Sequence, residues 1–155
     1  MANQIKAVLS AGQAEEFNKL TLDQAKGDVD QALQSIQTFV DQFQSEFTPG
    51  HVNIFALEAL PKRRDGVART AILLVNLTGS TLQALAGKLQ LEVDDFGVNF
   101  EPVDWQVDHD FLGDWQDHEA IMIVDDFPFQ GLPTQPSYQA ENLSLTVEDF
   151  FITEA

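Results

Sequence analysis

The chain has 155 residues, 44% of them hydrophobic, and a net charge of −17 that is unevenly spread: up to Lys88 nine acids face eight bases, whereas residues 89–155 hold sixteen acids and no Lys or Arg. A chain this long and this apolar can bury a core that offsets the entropy of folding, so even the acidic half is read as folded. The acid excess repels phosphate backbones and anionic lipid, the lack of Cys removes disulfides and thiolate chemistry, and no apolar run approaches the roughly 20 residues that span a bilayer, so neither nucleic-acid binding nor membrane insertion is expected.

The first stretch, Ala2 to Leu20, has a weak helical pattern (Ile5, Leu9, Phe17, Leu20) broken by Gly12, and reads as a short helix or a frayed arm. Its apolar run is too broken for a secretion signal. The expected compartment is the cytoplasm if Met1 is the native start, and the cell surface or the exterior if the chain is a trimmed piece. From Thr21 to Phe47 the residues Val29, Leu33, Ile36, Val40, Phe43 and Phe47 recur at spacings of 4, 3, 4, 3 and 4, which puts them on one face of a long amphipathic helix. Thr21 and Gln24 stand in capping-box positions, and Thr48-Pro49-Gly50 ends the run. The stripe spans fewer than three heptads, so packing on the chain's own sheet is the main reading and self-association the alternative.

After Gly50 the period shortens from 3.6 to 2. Val52 to Leu57 reads as a strand, Pro61 to Gly66 as a polar turn, and Val67 to Leu77 as a second strand with Val67, Ala71, Leu73, Val75 and Leu77 on one face. The turn Thr78-Gly79-Ser80 precedes a run in which Leu85, Gly87, Leu89, Leu91 and Val93 alternate with their neighbours, and these two runs are expected to pair as a hairpin. Asp94 to Gly97 is a turn, Val98 to Val107 a strand interrupted at Pro102, and His118 to Val124 a short apolar strand. Pro128, Gly131, Pro133 and Pro136 mark a long loop. Leu143, Leu145 and Val147 begin a last strand toward Ile152, with a bulge before Phe150. Six or seven short strands with no helix among them predict a mainly β fold: an antiparallel β-sandwich over residues 50–155 behind a long N-terminal amphipathic α-helix within residues 1–49.

The densest polar segment, Glu101 to Asp126, holds an imperfect repeat, Asp104-Trp105-Gln106-Val107-Asp108-His109 and Asp114-Trp115-Gln116-Asp117-His118-Glu119. Carboxylates suit calcium, which makes Asp104, Asp108, Asp114 and Asp117 the candidate metal ligands and calcium the one cofactor considered. Their spacing matches neither a calcium loop nor a paired-ligand zinc signature. The plainer reading is a solvated acidic loop in which Trp105 and Trp115 anchor the core. Paired carboxylates across a cleft are also the raw material of glycoside hydrolysis, but no phosphate loop, nucleophile elbow or paired-His motif accompanies them. Asn76-Leu77-Thr78 and Asn142-Leu143-Ser144 match the glycosylation triplet yet fall on expected strands, where an attached sugar would be awkward. His51 stands alone and reads as a surface residue. Lys62, Arg63, Arg64 and Arg69 cluster around the turn between the first two strands, as a charge-protected hairpin tip or as a partner-binding patch complementary to the acidic half.

Gly50 with Val52-Asn53-Ile54 opens a strand, Asp65-Gly66 makes a turn, Asn76 precedes Thr78-Gly79-Ser80, and a third alternating strand closes on Asp95 to Gly97. In these features the chain resembles the front half of immunoglobulin-like accessory modules of Gram-positive bacteria, such as the SLAP domains of surface-assembly proteins. The resemblance covers about 50 residues and implies an immunoglobulin-like sandwich that acts as a non-enzymatic interaction module. The expectation is thus a protein-interaction or assembly module with a strongly acidic surface, binding a protein partner or itself without a cofactor. The alternatives are a carboxylate- or metal-dependent hydrolase using residues 101–126, and a calcium-stabilised structural domain.

Overall fold

The computed structural model describes residues 5–13, 22–62 and 64–155, with the backbone alone at 22–29. Phe17, Leu20 and Thr21 and the side chains of Gln24 and Val29, named above as pattern, cap and stripe residues, lie outside the described residues. In chain order the elements are β1 (Lys6–Ala7), α1 (Leu22–Phe43), β2 (Val52–Lys62), β3 (Val67–Asn76), β4 (Leu82–Val93), β5 (Val98–Phe100), β6 (Val103–Val107), α2 (His109–Leu112), β7 (Glu119–Gly131), β8 (Tyr138–Gln139) and β9 (Leu143–Glu154). The fold is mainly β. One sheet runs β1-β7-β3-β2-β8, with β5 added to β7, and a three-stranded sheet runs β6-β4-β9.

β3 is the centre of the larger sheet, and its Ile72-Leu73-Leu74-Val75 run is buried on both faces. That continuous apolar stretch is what a strand covered from both sides requires. Ile72 and Leu74 share a core with Leu85 and Leu89 of β4 and Trp105 of β6. Leu73 and Val75 turn the other way, toward Leu57 and α1. The helical stripe is therefore core: Ile36 and Val40 are 2% and 1% exposed, and Phe43 stacks on Phe55 at 5.6 Å. Burial of each such side chain stabilises by about 2 kcal/mol. β2 serves both cores through a bulge at Leu57, the one residue between Ala56 and Glu58 without a partner on β3.

The helix is not an N-terminal appendage. It lies between β1 and β2, and the stretch expected as a short helix or frayed arm contains a strand at residues 6–7 and helical backbone at 11–13. β1 runs parallel to β7, with Lys6 N–H donating to His118 C=O and Val8 N–H to Ala120 C=O, both at 2.9 Å. Gln37 of α1 covers the outer edge of β1: its Oε1 accepts from Ala7 N–H at 3.1 Å and its Nε2 donates to Ile5 C=O at 3.2 Å. A two-residue strand leaves no period to read, so only its partners reveal it. Elements from both sides of residue 49 thus share one core.

The expected hairpin of the second and third runs does not form. β3 pairs with β2 and β7, whereas β4 pairs with β6 and β9. Thr78-Gly79-Ser80 carries the chain from one sheet to the other, and buried Asn76 holds that crossing. Its Nδ2 donates to Ser80 C=O at 2.9 Å and Trp115 C=O at 3.0 Å, while its Oδ1 accepts from Thr78 N–H at 3.0 Å and Thr78 Oγ1–H at 2.7 Å. Such an amide has no room for a sugar. The chain changes sheet again at Pro102, since β5 pairs with β7 and β6 with β4.

β7 runs past the expected end at Val124 as far as Gly131, through Pro128. The proline is tolerated because its position faces away from β3, where its carbonyl accepts from Glu101 N–H at 3.0 Å. At Gly131, φ is +106°, and a Cβ would fall 1.7 Å from the Gly97 carbonyl oxygen, so only glycine fits. The expected bulge of the last strand is present: Glu148 and Phe151 face Lys88 and Ala86, and Asp149 takes φ +50°. No described helix is long and apolar enough to cross a membrane.

Candidate functional site

β6 is an edge of its sheet, and β7 has an open edge of its own. On the side of β7 away from β3, β1 pairs at Glu119 and Ala120 and β5 from Phe129 onward. Between those points no strand among the described residues pairs with β7 on that side. A depression of about 510 Å³ lies between the two edges. Trp105, Val107 and Phe111 form its apolar side together with Ile123 and Val124, and Asp108, Asp110 and Asp125 supply carboxylates; among the described residues no Lys or Arg lines it.

Local structure explains each position. In β6 the alternation of exposed Asp104 and Gln106 with buried Trp105 and Val107 turns the indole inward. Its Nε1–H donates to Asp125 Oδ2 across to β7 at 3.1 Å. α2 is a single turn in which Phe111 and Leu112 donate N–H groups to Asp108 C=O, Leu112 is buried, and Gly113 at φ +67° ends the turn. That places Asp108 and Asp110 exposed at the rim. Gly12 lets the turn at residues 11–13 press on Phe111, because a Cβ there would approach the ring to 2.7 Å. The Gln13 side chain donates to Met122 C=O on the open edge and accepts from Ser10 N–H at 3.0 Å.

Burial pushes the Asp125 carboxyl above its ordinary range; the Trp105 hydrogen bond opposes this, and neighbouring Asp126 adds to it. Shifted carboxyls in depressions occur at functional sites and in structural networks alike, so Asp125 is a candidate on its position as well as its shift.

The expected metal ligands are not brought together. Asp104 is exposed on β6 opposite Lys88, and Asp108 accepts from Gln106 Nε2 at 2.9 Å. Asp114 accepts from Gln83 Nε2 at 3.0 Å and lies 3.2 Å from His109 Nε2, contacts that hold its carboxyl below the usual range. Asp117 accepts from Gly79 N–H at 2.9 Å and lies 2.6 Å from His118 Nδ1. Among the described residues no three His, Asp or Glu side chains are grouped to hold a metal ion. Each expected ligand instead serves a separate local contact. Trp105 and Trp115 are both buried in the shared core, and Trp115 Nε1–H donates to Glu119 C=O at 3.0 Å.

Of the basic cluster, Lys62 ends β2, Arg64 is exposed in the turn, and Arg63 lies outside the described residues. Exposed Arg69 brings Nε to 3.7 Å from Asp126 Oδ1, so one of these bases already faces an acid of β7.

Sequence reasoning missed Asp95. Its carboxylate accepts from Gly97 N–H at 2.9 Å, Thr134 N–H at 3.1 Å, Thr134 Oγ1–H at 2.8 Å and the Tyr138 hydroxyl. These donors hold the acid well below the usual carboxylate range, while burial and then Asp95 push Tyr138 up. The clasp ties the turn after β4 to the proline-rich loop before β8. Its only sequence signal is the Asp-x-Gly turn, because the other donors lie about forty residues on.

Comparison of the chain with protein-family models, with curated proteins and with solved structures finds no match.

Proposed function

We propose that this protein is a non-enzymatic interaction module, built on an antiparallel immunoglobulin-like β-sandwich similar to SLAP-type accessory domains, whose acidic groove takes a cationic protein partner. The sandwich reading draws on two sheets that share one core and on antiparallel pairing everywhere except β1 with β7. The observation that carries the function is the groove lining: Trp105 and Phe111 beside Asp108, Asp110 and Asp125, with no base among the described residues around it. Aromatic side chains supply contact area, and carboxylates of one sign steer and orient a partner of the other.

The test follows tryptophan emission while poly-L-lysine or poly-L-glutamate is added at low and at high salt, with Trp105→Phe assigning the signal to the groove. A saturable response to polylysine that weakens with salt is expected. No response, or equal responses to both polymers, removes the reading.

A second reading, a carboxylate-dependent hydrolase, draws on the raised Asp125 carboxyl in one depression with Asp108 and Asp110. Turnover of chromogenic glycosides that disappears in Asp125→Asn would replace the first reading with this one.

A further inference from the structure

We infer that the partner is an extended, Lys- or Arg-bearing segment of another protein that adds as a strand to the open edge of β7 at Val124 and Asp126. This rests on the interaction reading above and specifies the chemistry of the occupant.

Ala120 C=O meets Val8 and Pro128 C=O meets Glu101, while Phe129 N–H turns the other way, to Gly66 C=O at 2.9 Å. Even-numbered residues of β7 therefore direct their N–H and C=O groups away from β3, because these directions alternate along a strand. Met122, Val124 and Asp126 fall in the gap between β1 and β5. The Met122 carbonyl is taken by Gln13, and among the described residues both groups of Val124 and both of Asp126 face the gap without a partner strand. Strand backbone groups are obligatory hydrogen bonders, and an open edge is a template for another strand. A partner of about five residues is long enough to meet these four groups at 3.3 Å per residue.

Side chains and charge then select the partner. Val124 is 51% exposed, and its side chain offers an apolar contact at this edge on the face of β7 that it shares with Met122. Asp108, Asp110 and Asp125 line the groove, and among the described residues Asp126 is met only by Arg69, from the β3 side. A second copy is a poor occupant: each carries −17, and like-charged copies repel. A cationic strand from a different protein satisfies the open backbone and adds counter-charge to groove carboxylates that are met by neutral donors, by strand addition with charge selecting the sequence.

The experiment uses the full chain and two capped hexapeptides, one alternating Lys with Val and one alternating Glu with Val. Amide hydrogen exchange is read by NMR at Val124 and Asp126, and binding at low and high salt. The Lys peptide is expected to bind saturably, more weakly in high salt, and to slow exchange at those two amides by about tenfold or more. Val124→Pro removes one donor facing the gap, a change an edge tolerates, and is expected to weaken binding about tenfold while circular dichroism stays unchanged. The Glu peptide should not bind.

Binding that leaves exchange at Val124 and Asp126 unaltered, and that survives Val124→Pro, overturns the strand inference while the acidic interaction reading stands. Amides already slow in the free protein also overturn it, by showing that the chain covers its own edge. Failure of both the Lys peptide and polylysine to bind removes the inference and the interaction reading together.

Discussion

The Asp125 carboxylate is half-buried against the Trp105 indole, where burial works against its charge. Its pKa is raised in the folded protein, so what it contributes to stability is fully present below the unfolded value of about 3.9 and is lost as pH rises through the folded value. Asp125→Asn keeps an acceptor for the Trp105 N–H without the charge, and is expected to raise the melting temperature at neutral pH and to converge with the parent protein below pH of about 4. Thermal melts across pH check this, and a lower melting temperature at neutral pH would show that the charge is satisfied in a way burial does not suggest. Asp95 has the opposite sign: its folded pKa is depressed, so its contribution is present above the unfolded value and lost as pH falls through the folded one. Asp114, held low by Gln83 and His109, acts in the same direction, so loss of stability in acid is expected to draw on both carboxylates. Neither role could be read along the chain. Asp125 resembles any acid beside another until Trp105 from a different sheet covers it, and Asp95 gains its donors from residues 134 and 138.

Helix α1 was legible because its signal is local: a 3/4 spacing places Ile36 and Val40 on one face whatever that face meets. What it meets is Leu57, Leu73, Val75 and Ala120, from three strands. Ile36→Ala is expected to cost roughly 2–4 kcal/mol in urea unfolding, against less than about 0.5 kcal/mol for exposed Gln34→Ala, with a midpoint independent of protein concentration. A concentration-dependent midpoint would mean that the face is shared with another copy. Strand pairing was less legible than strand existence. Alternation in β3 and β4 sets which residues face inward but does not name the neighbouring strand, so a short turn suggested a hairpin where the chain instead changes sheet. The bulge in β9 could be read because it breaks the alternation itself, at Asp149 and Phe150. β8 offered too few residues to show a period.

Across the whole molecule the acids sit mainly on exposed positions, while the strands beneath them alternate apolar residues into the core. In the three-stranded sheet Lys88 stands between Asp104 and Glu148 in register, the single base against acids on both sides. Self-repulsion should therefore outweigh pairing, and the melting temperature is expected to rise as sodium chloride goes from about 0.01 to about 0.1 M, over which the screening length falls from about 30 to about 10 Å. A fall over that range would show that pairs such as Lys88 with its neighbours dominate. Composition, charge division, the helix face and the mainly β character were determined by the sequence alone, because each depends on residue type and on spacings within a few positions. Which strands became neighbours, which carboxylate was buried and which edge stayed open were decided only by the tertiary structure. Those outcomes depend on contacts between residues far apart in the chain, and no local period records them.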